Sequence, residues 1–172
     1  DATSGFTLTT YAAYLAEHPP TWEARLVSPS SWSCSHGVER WRSDCGCKMD
    51  PSAPSQQAWR TELRAAFDWL RDSAREALKP VLSKVFLDPD QARLSYVDVI
   101  YEQGHQWQSW WKQHGRPGQD DQLGRRLMDI QRHLLAMYTS CGWFFDDVSG
   151  IEARQNLRHA ACAIQKLNQT VG

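Results

Sequence analysis

Residues 55–78, SQQAWRTELRAAFDWLRDSAREAL, carry the longest regular pattern in the chain and decide its class. Trp59, Leu63, Ala66, Phe67, Leu70, Ala74 and Leu78 recur at spacings of three and four, which lines them up on one face of an α-helix. Charged residues fill the opposite face. Ser55 is placed to cap this helix, and Pro80, which has no amide hydrogen, to end it.

Towards the C-terminus the helical period returns several times. Val81–Phe86 is a shorter segment. Asp88 followed by Pro89 reads as an N-cap with proline at the first helical position, and Val97, Ile100 and Tyr101 mark the buried face of the helix that follows. Gly104 interrupts it before Trp107–Trp111. His114–Gln119 contains Gly115, Pro117 and Gly118 and reads as a turn. Asp120 or Asp121 caps a helix running to about Tyr138, with Leu123, Leu127, Ile130, Leu134 and Met137 as its stripe. Thr139–Asp147 breaks the period. Ser149 and Glu152 then form a capping box that opens a last helix to about Asn168, whose inner stripe is Leu157, Ala161, Ile164 and Leu167. The fold expected is mainly α, a bundle of four or five helices.

Towards the N-terminus the character changes at about residue 55. Thr10–Glu17 predicts a short helix, capped by Thr9 or Thr10 and stopped by Pro19 and Pro20. Trp22–Val27 alternates apolar and charged residues, which predicts one short strand. From Ser28 to Pro54 there is no period, and so long a loop needs something other than packing to order it. The chain reads as a single helical domain over 1–172, an irregular cysteine-bearing cap (1–54) on a helical bundle (55–172), cut from a larger protein.

Composition narrows the function. Of 172 residues, 41% are hydrophobic and 23% charged, with a net charge of -1, so the chain can fold but lacks the basic excess of a nucleic-acid binder. No run of eighteen apolar residues is present, so no transmembrane helix is expected, and a cytoplasmic location is. The nine tryptophans are the anomaly. They fit either a core filled with large side chains or aromatic faces for stacking on a flat ligand such as a sugar.

Cys34, His36, Cys45 and Cys47 fall close together. Each pair is separated by one residue, and in extended chain that spacing puts both side chains on one side. Two such pairs joined by a turn can offer Cys₃His to one Zn²⁺, a structural zinc type that would order the irregular segment. Free buried thiols, a disulfide or an iron–sulfur cluster are the other readings, and Cys141 could stand in for His36. Cys162 falls on the apolar face of the last helix and reads as core. His133 lies within the helix leading to the aromatic break, where it can face a pocket.

Two segments go further: SWSCSHGVERWRSDCGC at 31–47 and MYTSCGWFFDDVSGIE at 137–152. Together they closely resemble the helical region termed domain of unknown function 3536. That region follows the catalytic barrel in bacterial proteins similar to glycoside hydrolase family 57, which carry α-amylase or α-mannosidase labels. Phe6–Tyr11 and His18-Pro19-Pro20 also look like that family. The resemblance implies a parent whose barrel supplies the catalytic carboxylates, so no catalytic residue is assigned to this chain. It also implies an accessory role in forming or closing a glycan cleft, with the parent's own barrel and an α-glucan or related oligosaccharide as partners. Trp143, Phe144 and Asp146, in the break between two helices, are the candidate ligand-facing residues, together with Trp41, Arg40 and His133. The same loop also reads as a tight aromatic corner packing two helices. The alternative function is a zinc-stabilised structural or interaction module without glycan contact.

Overall fold

The computed structural model describes residues 5–171, and they are mainly helical. After α1 (Tyr11–Glu17) the chain runs irregularly through one 3₁₀ turn at Glu39–Trp41. It then forms α2 (Trp59–Val85), α3 (Pro89–Tyr101), α4 (Trp107–His114), α5 (Asp121–Ala136), the one-turn α6 (Cys141–Phe144) and α7 (Ile151–Val171). The longest seam runs between α5 and α7. α2 touches both, and α3 pairs with α4 and leans on α5. The five helices α2, α3, α4, α5 and α7 are the bundle that the periodicity predicts. None of them is long and apolar enough to cross a membrane.

Most of the α2 stripe does what its spacing dictates: Leu63, Phe67, Leu70, Ala74 and Leu78 are buried, Trp59 is partly buried, and Ala66, at the edge of the face, is exposed. The buried side chains meet Leu127, Met128, Ile130 and Leu134 of α5 in one apolar cluster, each large side chain contributing roughly 1.5–3 kcal/mol by leaving water. The helix begins three residues later than expected and outruns its expected C-terminal end. It starts at Trp59, where Gln56 Oε1 accepts from the Ala58 amide at 2.6 Å, and Ser55 is not its cap. It continues through the exposed Pro80. Proline costs about 3 kcal/mol inside a helix, but Leu78 on one side and Val85 and Phe86 on the other are fully buried and hold the axis. Val81–Phe86 is therefore mostly the last turn of α2.

Two helices are turned relative to their expected faces. On α3, Val97, Ile100 and Tyr101 are exposed, whereas Ala92 and Val99 are buried. The neighbour decides this: Trp110 of α4 packs its ring 5.4 Å from Tyr96 and donates Nε1 to Ser95 Oγ at 2.8 Å. On α7, Leu157, Ala161 and Ile164 are exposed, and Ala153, Asn156, Ala160 and Ala163 are buried; of the expected stripe only Leu167 packs against the core. Small residues let α7 approach α5 and α6 closely, and shape outweighs side-chain hydrophobicity. The capping box is displaced as well, since α7 begins at Ile151 and Gly150 precedes it.

Trp22–Val27 is not a strand. It has no ladder partner and its apolar side chains are exposed. Among the described residues the β-type pairings are two isolated bridges, Ser31 with Cys34 and Phe86 with Gly115. The helices α1 and α5 are capped as expected, by Thr10 Oγ1 and by the Asp120 carboxylate. Most of the tryptophan excess is packing: Trp107, Trp110 and Trp143 are buried, Trp41, Trp59 and Trp111 are partly buried against the core, and Trp22, Trp32 and Trp69 are exposed.

Candidate metal centre

The 3₁₀ turn Glu39–Trp41 reverses the chain between the two ligand pairs. Before it, the bridge between Ser31 and Cys34 fixes the first pair. After it, Gly46 takes φ +77°, so the backbone of Cys45-Gly46-Cys47 leaves the extended form that its spacing suggests. A residue with a Cβ adopts that backbone only at a cost. The result brings Cys34, His36, Cys45 and Cys47 together, with one ligand atom of each within 4.8 Å of every other. Cys34 is buried, Cys45 and Cys47 are half-buried and His36 is at the surface. These four side chains form a group that could hold a metal ion.

The edges of the group are informative. Cys34 Sγ lies 3.9 Å from Cys45 Sγ and 3.9 Å from Cys47 Sγ, and Cys47 Sγ lies 3.6 Å from His36 Nδ1. Tetrahedral zinc with Zn–S about 2.3 Å and Zn–N about 2.0–2.1 Å has S–S edges of about 3.8 Å and S–N edges of about 3.6 Å. A disulfide would need about 2.05 Å, and all five cysteines are free. Burial by itself would raise the Cys34 thiol, but amide hydrogens of Arg40 and His36 and the thiols of Cys45 and Cys47 bring it down to about 7. Burial raises Cys45. Cys141 is exposed, Cys162 is half-buried on α7, and neither belongs to the group.

The aromatic break lies against this cap. Trp41 Nε1 donates to the Ser140 carbonyl at 2.9 Å. The Arg40 guanidinium sits 4.3 Å from the Phe144 ring centre. The Asp146 carboxylate accepts from the amides of Met49 (2.8 and 3.0 Å) and Asp50 (2.9 Å), tying the end of the cap to the corner. Gln57 Nε2 donates to the Asp146 carbonyl at 3.1 Å. Trp143 has 1% exposure. It packs on Phe67 and Tyr138 and donates to the Arg60 carbonyl, so its indole is core and offers no face to a ligand. The aromatic-corner reading of this loop describes it.

Five of the six candidate ligand-facing residues thus meet at one joint, but as structural partners of the cap. His133 is elsewhere: its Nδ1 lies 3.0 Å from His159 Nδ1 in the seam between α5 and α7.

Arg60 is the member of the joint that sequence reasoning missed. It is fully buried, donates Nη1 to the Cys47 carbonyl at 2.9 Å and Nη2 to the Phe145 carbonyl at 3.4 Å. Burial and the facing Arg40 lower its pKa, against the pull of Cys45, Asp146 and Cys47. The signal was in the α2 stripe, where Arg60 stands three residues before Leu63 and seven before Phe67 on the apolar face.

Beside this joint is an open cleft of about 310 Å³ lined by Gln56, Trp59, Asp146 and Asp147 among others. No curated protein and no solved structure matches the chain. Residues 56–172, which include the Met137–Glu152 segment and begin just before α2, match the family described as Domain of unknown function (DUF3536), and the chain belongs to that family.

Proposed function

We propose that this chain is a zinc-stabilised structural and interaction module, in which one Zn²⁺ on Cys34, His36, Cys45 and Cys47 locks the irregular cap onto the bundle. The convergence of the four ligand atoms within 4.8 Å, with two Sγ–Sγ separations and one Sγ–Nδ1 separation at the edge lengths of a zinc tetrahedron, carries this reading. The packing supports it. Between residues 28 and 54 only Cys34 and Arg40 are buried, too little apolar burial to order so long a segment. Four protein ligands close the coordination sphere, which makes the site structural and not catalytic, and metal binding then becomes folding free energy. Reduced thiols of this kind fit the cytoplasm.

Elemental analysis of the purified chain tests the reading. The expected result is about one zinc per chain, with a lower unfolding temperature after chelation. Absence of metal, together with unchanged unfolding in Cys45→Ser, overturns it.

A second reading, an accessory role beside the glycan cleft of a larger protein, is favoured by the small cleft with Trp59, Asp146 and Asp147 on its walls. An indole and two carboxylates are groups that bind sugar C–H faces and hydroxyls. Titration with maltooligosaccharides tests it. Shifts of the Trp59 indole signal support it, and no response up to millimolar sugar removes it.

A further inference from the structure

Beside the four metal-ligand candidates lie two guanidinium groups whose environment makes no electrostatic sense on its own. Arg40 is 3% exposed and Arg60 is 0% exposed. Arg40 comes from the 3₁₀ turn between the ligand pairs, and Arg60 from the first turn of α2. Both stay charged, because arginine does not give up its proton in proteins. Their hydrogen bonds go to carbonyls alone: Arg40 Nη1 to Ser33 at 2.8 Å, and Arg60 to Cys47 and Phe145. Arg40 Nε and Nη2 and Arg60 Nε find no partner. Carbonyl dipoles do not cancel a buried charge, and an unpaired buried charge is strongly destabilising.

Of the nearby anions, Glu39 is neutralised by its pair with Arg42, and Asp146 is the one whose charge acts on Arg60 while its oxygens hold the amides of Met49 and Asp50. It answers one guanidinium and leaves the other without a counter-charge. Neutral cysteines add nothing. Three thiolates and a neutral imidazole around a divalent ion carry one net negative charge. With Asp146 that makes two anionic units against two guanidiniums, all within one joint of the fold.

We infer, on the basis of the zinc reading above, that Arg40 and Arg60 are the charge partners of an anionic metal–tristhiolate centre and set its affinity for a divalent ion. Arg60 reaches the centre through the Cys47 carbonyl, which also fixes the backbone of a ligand. Arg40 is held by the Ser33 carbonyl, which directly precedes Cys34, and over the Phe144 ring of the aromatic corner. Groups outside the ligand set commonly change metal affinity by tens of fold.

Zinc affinity of the full chain, measured by competition with a chromophoric chelator, tests this. Arg40→Met and Arg60→Met are each expected to weaken binding roughly 10–100-fold, and Arg40→Lys, which keeps the charge, to retain most of it. Arg64→Met, on a half-exposed pair with Asp68 outside the joint, leaves affinity unchanged. A purely structural role does not depend on the charge of the site, so a His36→Cys background adds the deciding readout. Its four thiolates carry one more negative charge, and the Arg40→Met loss grows there.

Equal affinity of wild type and Arg40→Met overturns the inference. So does an Arg40→Lys loss as large as that of Arg40→Met, or an Arg40→Met loss that is the same in the His36→Cys background. If Arg60→Met does not fold, the Arg40 series decides alone. A wild-type chain that takes up no zinc sinks the underlying zinc reading, whereas a zinc-binding chain indifferent to both arginines sinks this inference only.

Discussion

Gly142 of α6 lies so close to Asn156 of α7 that a Cβ on Gly142 would stand 2.0 Å from Asn156 Nδ2. Asn156 is itself buried and donates Nδ2 to the Thr139 carbonyl at 2.8 Å. The aromatic corner and the last helix are thus joined by a contact that only glycine permits. Gly142→Ala must push apart a buried hydrogen bond, and we expect a loss of about 1–3 kcal/mol in urea unfolding. A change below about 0.5 kcal/mol, the range of a neutral surface substitution, would show that the corner yields freely.

The seam between α5 and α7 predicts a pH dependence. His133 faces His159 at 3.0 Å, with Asp129, Lys166 and Arg132 around it. Burial lowers the His133 pKa below its ordinary 6.5; Asp129 opposes this, and His159, Lys166 and Arg132 add to it. Between the lowered folded value and 6.5 the unfolded chain binds more protons, so stability rises with pH there. Denaturation midpoints are expected to fall as pH drops from about 7 to about 5, and His133→Gln to flatten that slope.

Tyr138 provides a spectroscopic test. Its hydroxyl donates to Asp68 Oδ1 at 2.7 Å, and Arg71 Nη1 donates to the same oxygen at 2.8 Å. Burial first, then the bond to Asp68, push the phenol well above its ordinary 10. Ultraviolet titration should find Tyr138 ionising late, alongside Tyr96, which burial also raises, and Asp68→Asn should bring Tyr138 earlier and leave Tyr96 in place. Burial opposes ionisation of Asp68, but Tyr138, Arg64 and Arg71 hold its pKa below 3.8. Its contribution is present above that pH and lost as pH falls through the folded value.

The tryptophans separate by substitution. Trp107 is buried and donates Nε1 to Asp121 Oδ2 at 3.1 Å, so Trp107→Ala should cost about 3–5 kcal/mol. Trp22 is 91% exposed, and Trp22→Ser should stay within about 0.5 kcal/mol. Thermal unfolding of the pair measures both, and a large loss at Trp22 would mean that the N-terminal segment packs on the body after all.

Residue spacing and type established the helical class, the bundle, most of the α2 stripe, the cap at Asp88 and the four metal-ligand candidates, and narrowed two further caps to Thr9 or Thr10 and to Asp120 or Asp121. Those features are local: a helix repeats every 3.6 residues whatever surrounds it, and two ligand pairs joined by a short loop are within reach of each other. Which side of α3 and α7 turns inward was not local. Each helix carries two overlapping apolar arcs, and the partner selects one, through the tryptophans of α4 for α3 and through close approach over alanines for α7. The surroundings of the metal-ligand group were settled at the same level. Arg40 stands among the ligands in sequence, but Arg60, Phe144 and Asp146 join it only because α2, the corner and the cap converge. The fields of buried charges depend on distance through space, and the order of residues along the chain does not record that distance.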